Sequence, residues 1–250
     1  MVSFGLSYIG ATVGLVLGQL RVALLVYVLG SPVAGAATSL AISTAGTLTG
    51  TWRHARDGRV DLWLLASVGL PSALAAFATA RWAGSVDARL LKAVIAGVLL
   101  LTGASMLRRP PDPTSPSGHV PSRTFAVLAE VVVGAVLGAI SGLVGLLLGS
   151  LRLPAMIRYA RVAPPVAIGT NMAIGAVTGL SAGVATFLQG QVDLTAFAIV
   201  TPLTLLGANL GARRTGSLDP DSLRRWIAAV LLLSATLMLG ELAVAHWRAG

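Results

Sequence analysis

Long, almost uncharged stretches set the limits on this chain: Val60–Ala80, Ala93–Leu107, Ala126–Leu151 and Ala228–Ala245. Each approaches or reaches the ~20 apolar residues that span the hydrocarbon of a bilayer. The runs are continuous rather than alternating, which excludes an outer-membrane barrel. The remaining class is an all-α, polytopic membrane protein. Composition agrees, since 55% of the residues are hydrophobic and 11% charged, against about a quarter charged in an ordinary soluble domain. The net charge of +9 sits in short loops between apolar runs, without an interleaved aromatic stripe, so no nucleic acid is expected as a partner. Cysteine is absent, which removes disulfides and thiolate chemistry. The N-terminus has no basic n-region or convincing cleavage site, so Met1–Val28 is expected to be a retained membrane segment.

One octapeptide occurs twice. Gly14-Leu-Val-Leu-Gly-Gln-Leu-Arg21 returns as Gly145-Leu-Leu-Leu-Gly-Ser-Leu-Arg152, matching at six of eight positions. A shift of 132 then aligns Pro32 with Pro164, Thr38-Ser39 with Thr170-Asn171, and Gly58-Arg-Val-Asp61 with Gly190-Gln-Val-Asp193. Polar matches held in register over this length indicate an internal duplication. Residues 1–107 form one transmembrane repeat, 125–250 the other, and 108–124 a polar, Pro/Ser-rich linker that no bilayer helix accommodates. About eight apolar segments result, at 3–30, 33–52, 60–81, 88–107, 125–160, 164–188, 192–212 and 222–246.

If every segment simply crosses, the basic residues outside Arg21 and Arg152 divide nine to seven, almost without bias. If the first segment of each half is broken or re-entrant, the loops at 53–59, 108–123, 158–161 and 213–225 share one side. That side then carries twelve basic residues against four, as the positive-inside rule prefers. Each half then makes an odd number of crossings, so the repeats are expected to be inverted.

An arginine inside an apolar segment is costly and is a functional hypothesis by default. Arg21 and Arg152 are therefore candidate anion ligands, against the alternative of arginines snorkelling to the surface. Thr38, Ser39, Thr170 and Asn171 lie six or seven residues beyond Pro32 and Pro164, roughly 10 Å deep. They are expected to meet the arginines near the midplane, where repeat-built transporters bind substrate; such side chains also glue helices together. Gly14, Gly18, Gly142, Gly145 and Gly149 clear a helix face or mark a break, and Pro154 interrupts helical hydrogen bonding. Asp61 and Asp193 are most simply helix N-caps. Glu130 is a candidate proton-coupling group. The three histidines lie in loops or at the C-terminus and suggest no metal, cofactor or catalytic set, so no enzymatic activity is expected.

The order Gly142-Leu-Val-Gly-Leu-Leu-Leu-Gly-Ser-Leu-Arg-Leu-Pro154, Pro164…Ala167-Ile-Gly-Thr-Asn171 and Gly190-Gln-Val-Asp193 resembles the TauE/SafE sulfite-exporter family of bacterial membrane transporters. The resemblance covers nearly the whole chain. Leu147 and Leu148 stand where that family has glycines, Val22-Ala23 replaces a Val-Pro pair, and both arginines replace apolar residues. What the resemblance implies is export of sulfite or an organosulfonate across the bacterial inner membrane. The expected function is a secondary transporter of a small anion working by alternating access, with H+ or Na+ as coupling ion. An anion channel and a non-transporting membrane scaffold are the alternatives. A homodimer, common among transporters, has no signature here.

Overall fold

The computed structural model describes residues 18–107, 123–149, 151, 152, 156, 162–212 and 220–247, and among these the chain is helical between short loops. Helices α1 (Gly18–Leu29) and α2 (Pro32–Arg56) form a hairpin. Its turn uses Gly30 at φ +62 and Ser31, whose hydroxyl accepts from the Ala34 N–H. Pro32 occupies the first turn of α2, where its missing N–H costs nothing. Helix α3 (Leu62–Ala83) holds a π-helical turn at Leu65–Gly69, just before Pro71. There follow α4 (Ala88–Leu107), α5 (Arg123–Val144), α6 (Pro164–Leu188), α7 (Leu194–Ala212) and α8 (Pro220–Trp247).

Among the described residues, four helical stretches are long and apolar enough to cross a membrane: Leu62–Ala83, Ala88–Ser105, Val127–Val144 and Pro165–Leu188. Leu194–Leu206 of α7 and Leu231–Val244 of α8 are shorter apolar stretches. Leu74, Leu128, Val132, Val136, Val184, Leu233 and Leu237 turn outward as an exposed apolar belt, which suits lipid rather than water. Trp52, Trp63 and Trp82 are exposed near helix ends, as interfacial anchors are.

Helix α2 lies outside that set for a physical reason. It buries Thr38, Ser39, Ser43, Thr44 and Thr47 against other helices, so it need not be apolar. The Thr44 and Thr47 hydroxyls donate to the carbonyls of Leu40 and Thr44.

Close contacts fix the helix directions. Thr44 meets Gly179, Gly50 meets Met172 and His54 meets Gly169, so α2 and α6 run antiparallel. Gly103 against Leu232 and Lys92 on Glu241 make α4 and α8 antiparallel. Helix α3 runs parallel to α6, through Ser72–Thr178 (2.8 Å), Ser181 on the Ala73 carbonyl (2.8 Å) and Gln189 on the Ala80 carbonyl (3.4 Å). It is also parallel to α5. A Cβ at Gly134, Gly138 or Gly142 would lie 2.4, 2.2 or 2.3 Å from the carbonyl oxygens of Val68, Ser72 and Ala76. Three glycines spaced by four thus let two backbones touch.

Since α5 and α6 point the same way, the chain between them must return. Helix α5 stops at Val144, Gly145 takes φ +69, and Leu146–Leu147 are non-helical. A Cβ at Gly145 would lie 2.1 Å from the Ala36 carbonyl oxygen, so this position needs glycine twice over. The apolar stretch expected at 125–160 is therefore broken, not a single span. The expected segments 88–107 and 164–188 coincide with α4 and α6, and 33–52 extends to Arg56. Of the linker at 108–124, Arg123 already begins α5 and residues 108–122 lie outside the described residues, as do Gly14 and Pro154.

Candidate anion site

Both repeated arginines are buried, Arg21 at 5% and Arg152 at 4% exposure. Arg21 projects from α1 onto α2, where Nη2 donates to the Ser39 carbonyl (3.4 Å) and to the Ser43 hydroxyl. Nη1 reaches the Thr204 hydroxyl on α7 at 3.5 Å. Arg152 lies on the returning segment beside α6. Its Nε donates to Asn171 Oδ1 (2.8 Å) and its Nη2 to the Asn171 carbonyl (3.4 Å). Asn171 Nδ2 in turn donates to the Gly149 carbonyl at 3.2 Å. A Cβ at Gly149 would lie 2.7 Å from that amide, so glycine makes room for it.

Among the described residues the arginines are solvated by hydroxyls, a carboxamide and main-chain carbonyls, without a carboxylate. Among the described residues the salt bridges are Arg59–Asp57 and Lys92–Glu241. A buried charge without a counter-charge is costly by several kcal/mol. Both clusters are thus electropositive interiors with partial solvation already built in.

The structure divides the expected site. Arg21 meets Ser39, and Arg152 meets Asn171, but the two groups are not brought together. In the antiparallel register of α2 and α6, Asn171 falls beside Thr51, twelve residues from Ser39, which is about 18 Å along the bundle. The single midplane cluster expected from sequence is instead two clusters, one toward each end.

Thr38 and Thr170 do not bond the arginines. The Thr38 hydroxyl accepts from the Asp193 N–H at 2.9 Å, and the Thr170 hydroxyl from the Asp61 N–H at 2.8 Å. The two aspartates then cap their own helices, Asp61 accepting from Leu64 and Asp193 from Ala196. Each Gly-x-Val-Asp turn is held by a threonine 132 residues from its counterpart's holder.

Ser43 and Thr204 were not singled out from sequence. Ser43 lies four residues after Ser39, on the same helix face. Thr204 follows Pro202, a proline inside an apolar helix, which frees backbone groups there. Glu130 keeps Oε2 buried without a partner among the described residues, whereas Glu241 pairs with Lys92. Gly18 begins α1. No cluster of metal-ligating side chains occurs among the described residues.

The family model for sulfite exporter TauE/SafE matches residues 1–238. The chain belongs to the TauE/SafE family. Comparison with curated proteins and with solved structures gave no match. Membership makes this a multi-pass membrane protein of a transporter family and not of an enzyme family, in accord with its apolar helices. The matched region includes Arg21, Arg152 and every residue around them.

Proposed function

We propose that this TauE/SafE chain is a secondary transporter that moves a small oxyanion, sulfite or an organosulfonate, across the bacterial inner membrane by alternating access. The observation that carries this reading is the pair of buried guanidiniums without carboxylate partners among the described residues. An oxyanion supplies the missing counter-charge and matches the donor fork of arginine. The family supplies the sulfur chemistry.

Two inverted repeats are part of the proposal. Helices α2 and α6, both 25 residues, are related by the 132-residue shift and pack antiparallel; α4 and α8 do the same. Equivalent helices that pack antiparallel call for a twofold axis perpendicular to them, in the membrane plane. Transporters built this way rock one half against the other. The helix directions also gather Arg53, Arg56, Arg59 and the start of α5 at one end, which we assign to the cytoplasm. Glu130, with an unpartnered buried oxygen, is the acidic group we assign to proton coupling.

Radiolabelled sulfite flux into proteoliposomes tests the reading, with sulfate, acetate and sulfonates as competitors. Saturable flux that shows counter-flow and yields only to sulfur oxyanions is expected. Unsaturable flux would make the protein a channel, and no flux through folded protein would refute the transporter reading.

A further inference from the structure

The two arginine clusters occupy matching positions; Arg21 alone adds the Ser43 and Thr204 hydroxyls, and the two differ again at Nε. In both, Nη2 donates to the main-chain carbonyl of the residue after the threonine, Ser39 or Asn171, at 3.4 Å. They part at Nε. In Arg152 this nitrogen is taken by Asn171 Oδ1 at 2.8 Å, an oxygen itself held in place because the same carboxamide donates to Gly149. In Arg21 it is buried without a hydrogen-bond partner among the described residues.

The cause lies in one pair of equivalent residues. Serine ends one atom beyond Cβ and asparagine two, so Asn171 reaches across to Nε where Ser39 stops short. An unpaired buried donor is costly, and native proteins leave few of them. A second one points the same way. The Thr201 hydroxyl is buried and unpartnered, one helical turn before Thr204 and on its face of α7, and Thr204 touches Arg21.

We propose that the chain has one open anion seat, at the Nε edge of Arg21, and one seat closed by its own chain, where the Asn171 carboxamide oxygen stands in for an anion oxygen on Arg152. This rests on the anion-transport reading above and adds to it the location and the number of seats. The open seat suits a small oxyanion, with one oxygen accepting from Nε. The occupied seat holds the returning segment to α6 through the Gly149 carbonyl. Position 39/171 is thus the specificity switch: a short side chain opens the seat and a carboxamide fills it.

The test is the count of sulfite bound per chain, by equilibrium dialysis of the purified full chain in detergent with radiolabelled sulfite. The wild-type protein should bind one. Ser39→Asn should close the seat and weaken binding at least tenfold, and Arg21→Gln should do the same. Asn171→Ser should open the second seat and raise the count to two; if that variant is not monodisperse, Asn171→Ala replaces it. Two sulfites on the wild-type protein, or Ser39→Asn binding within twofold of it, would overturn the single open seat. A monodisperse Asn171 variant that still binds one would overturn the stand-in role of its carboxamide. Absence of binding by wild type would instead refute the anion reading itself.

Discussion

A guanidinium inside a bilayer helix costs up to about 2.5–3.5 kcal/mol on insertion scales, so two of them at matching places call for a use. Arg21 and Arg152 stood out in the sequence because each interrupts an apolar run inside a repeated octapeptide. Their surroundings did not, since Thr204 lies 183 residues from Arg21 and spacing carries no record of such a contact. Gly145 was legible as a break or close approach, and it is both. With φ +69 and a Cβ that would lie 2.1 Å from the Ala36 carbonyl, Gly145→Ala adds about 1–2 kcal/mol of backbone strain to a clash. We expect it to lower the melting temperature in detergent and the yield of monodisperse protein. Gly97→Ala is the control, for a Cβ there meets nothing within 4 Å, and it should be neutral or slightly stabilising. Equal behaviour of the two variants would count against the turn at Gly145.

Among the helices, those whose ends carry local chemistry were predictable. Proline opens α2 and α6, and Asp61 and Asp193 cap the helices that follow, because caps depend on neighbours only a few residues away. The roles of Thr38 and Thr170 were not, because their donors lie 155 and 109 residues away on the other half. Each hydroxyl holds a turn of the opposite half at one end of the α2–α6 pair, so each is a contact that a rocking motion must load or release. Thr38→Val and Thr170→Val each leave a part-buried N–H unsatisfied, at about 1–3 kcal/mol. Thermal unfolding in detergent should show both losses, and the double variant should lose close to their sum, since sites this far apart add within about 0.5 kcal/mol. No loss in either variant would remove the threonines from the account. The α3–α5 contact is only partly legible in the sequence: Gly142 stands beside the repeated octapeptide, but Gly134 and Gly138 complete the stripe, and their partners on α3 have no sequence signature.

At the scale of the molecule, the described residues hold two antiparallel helix pairs, α2 with α6 and α4 with α8, and a chain that breaks after Val144. The basic loops also support the proposed inverted repeats, since a returning first segment gathers twelve basic residues on one side. The chain has no cysteine, so single cysteines can report sidedness. Asp57→Cys and Gln189→Cys occupy matching helix ends. A membrane-impermeant maleimide applied to intact cells should label position 189 and spare position 57; labelling of both, or neither, would argue for parallel repeats. The account as a whole depends on an anion meeting a buried arginine. Initial rates of radiolabelled sulfite uptake into proteoliposomes should therefore be compared for wild type and Arg21→Gln, both shown to be monodisperse. We predict saturable uptake by wild type and at least a tenfold lower rate for Arg21→Gln, equivalent to about 1.4 kcal/mol. Equal rates would contradict the assignment of transport to this site.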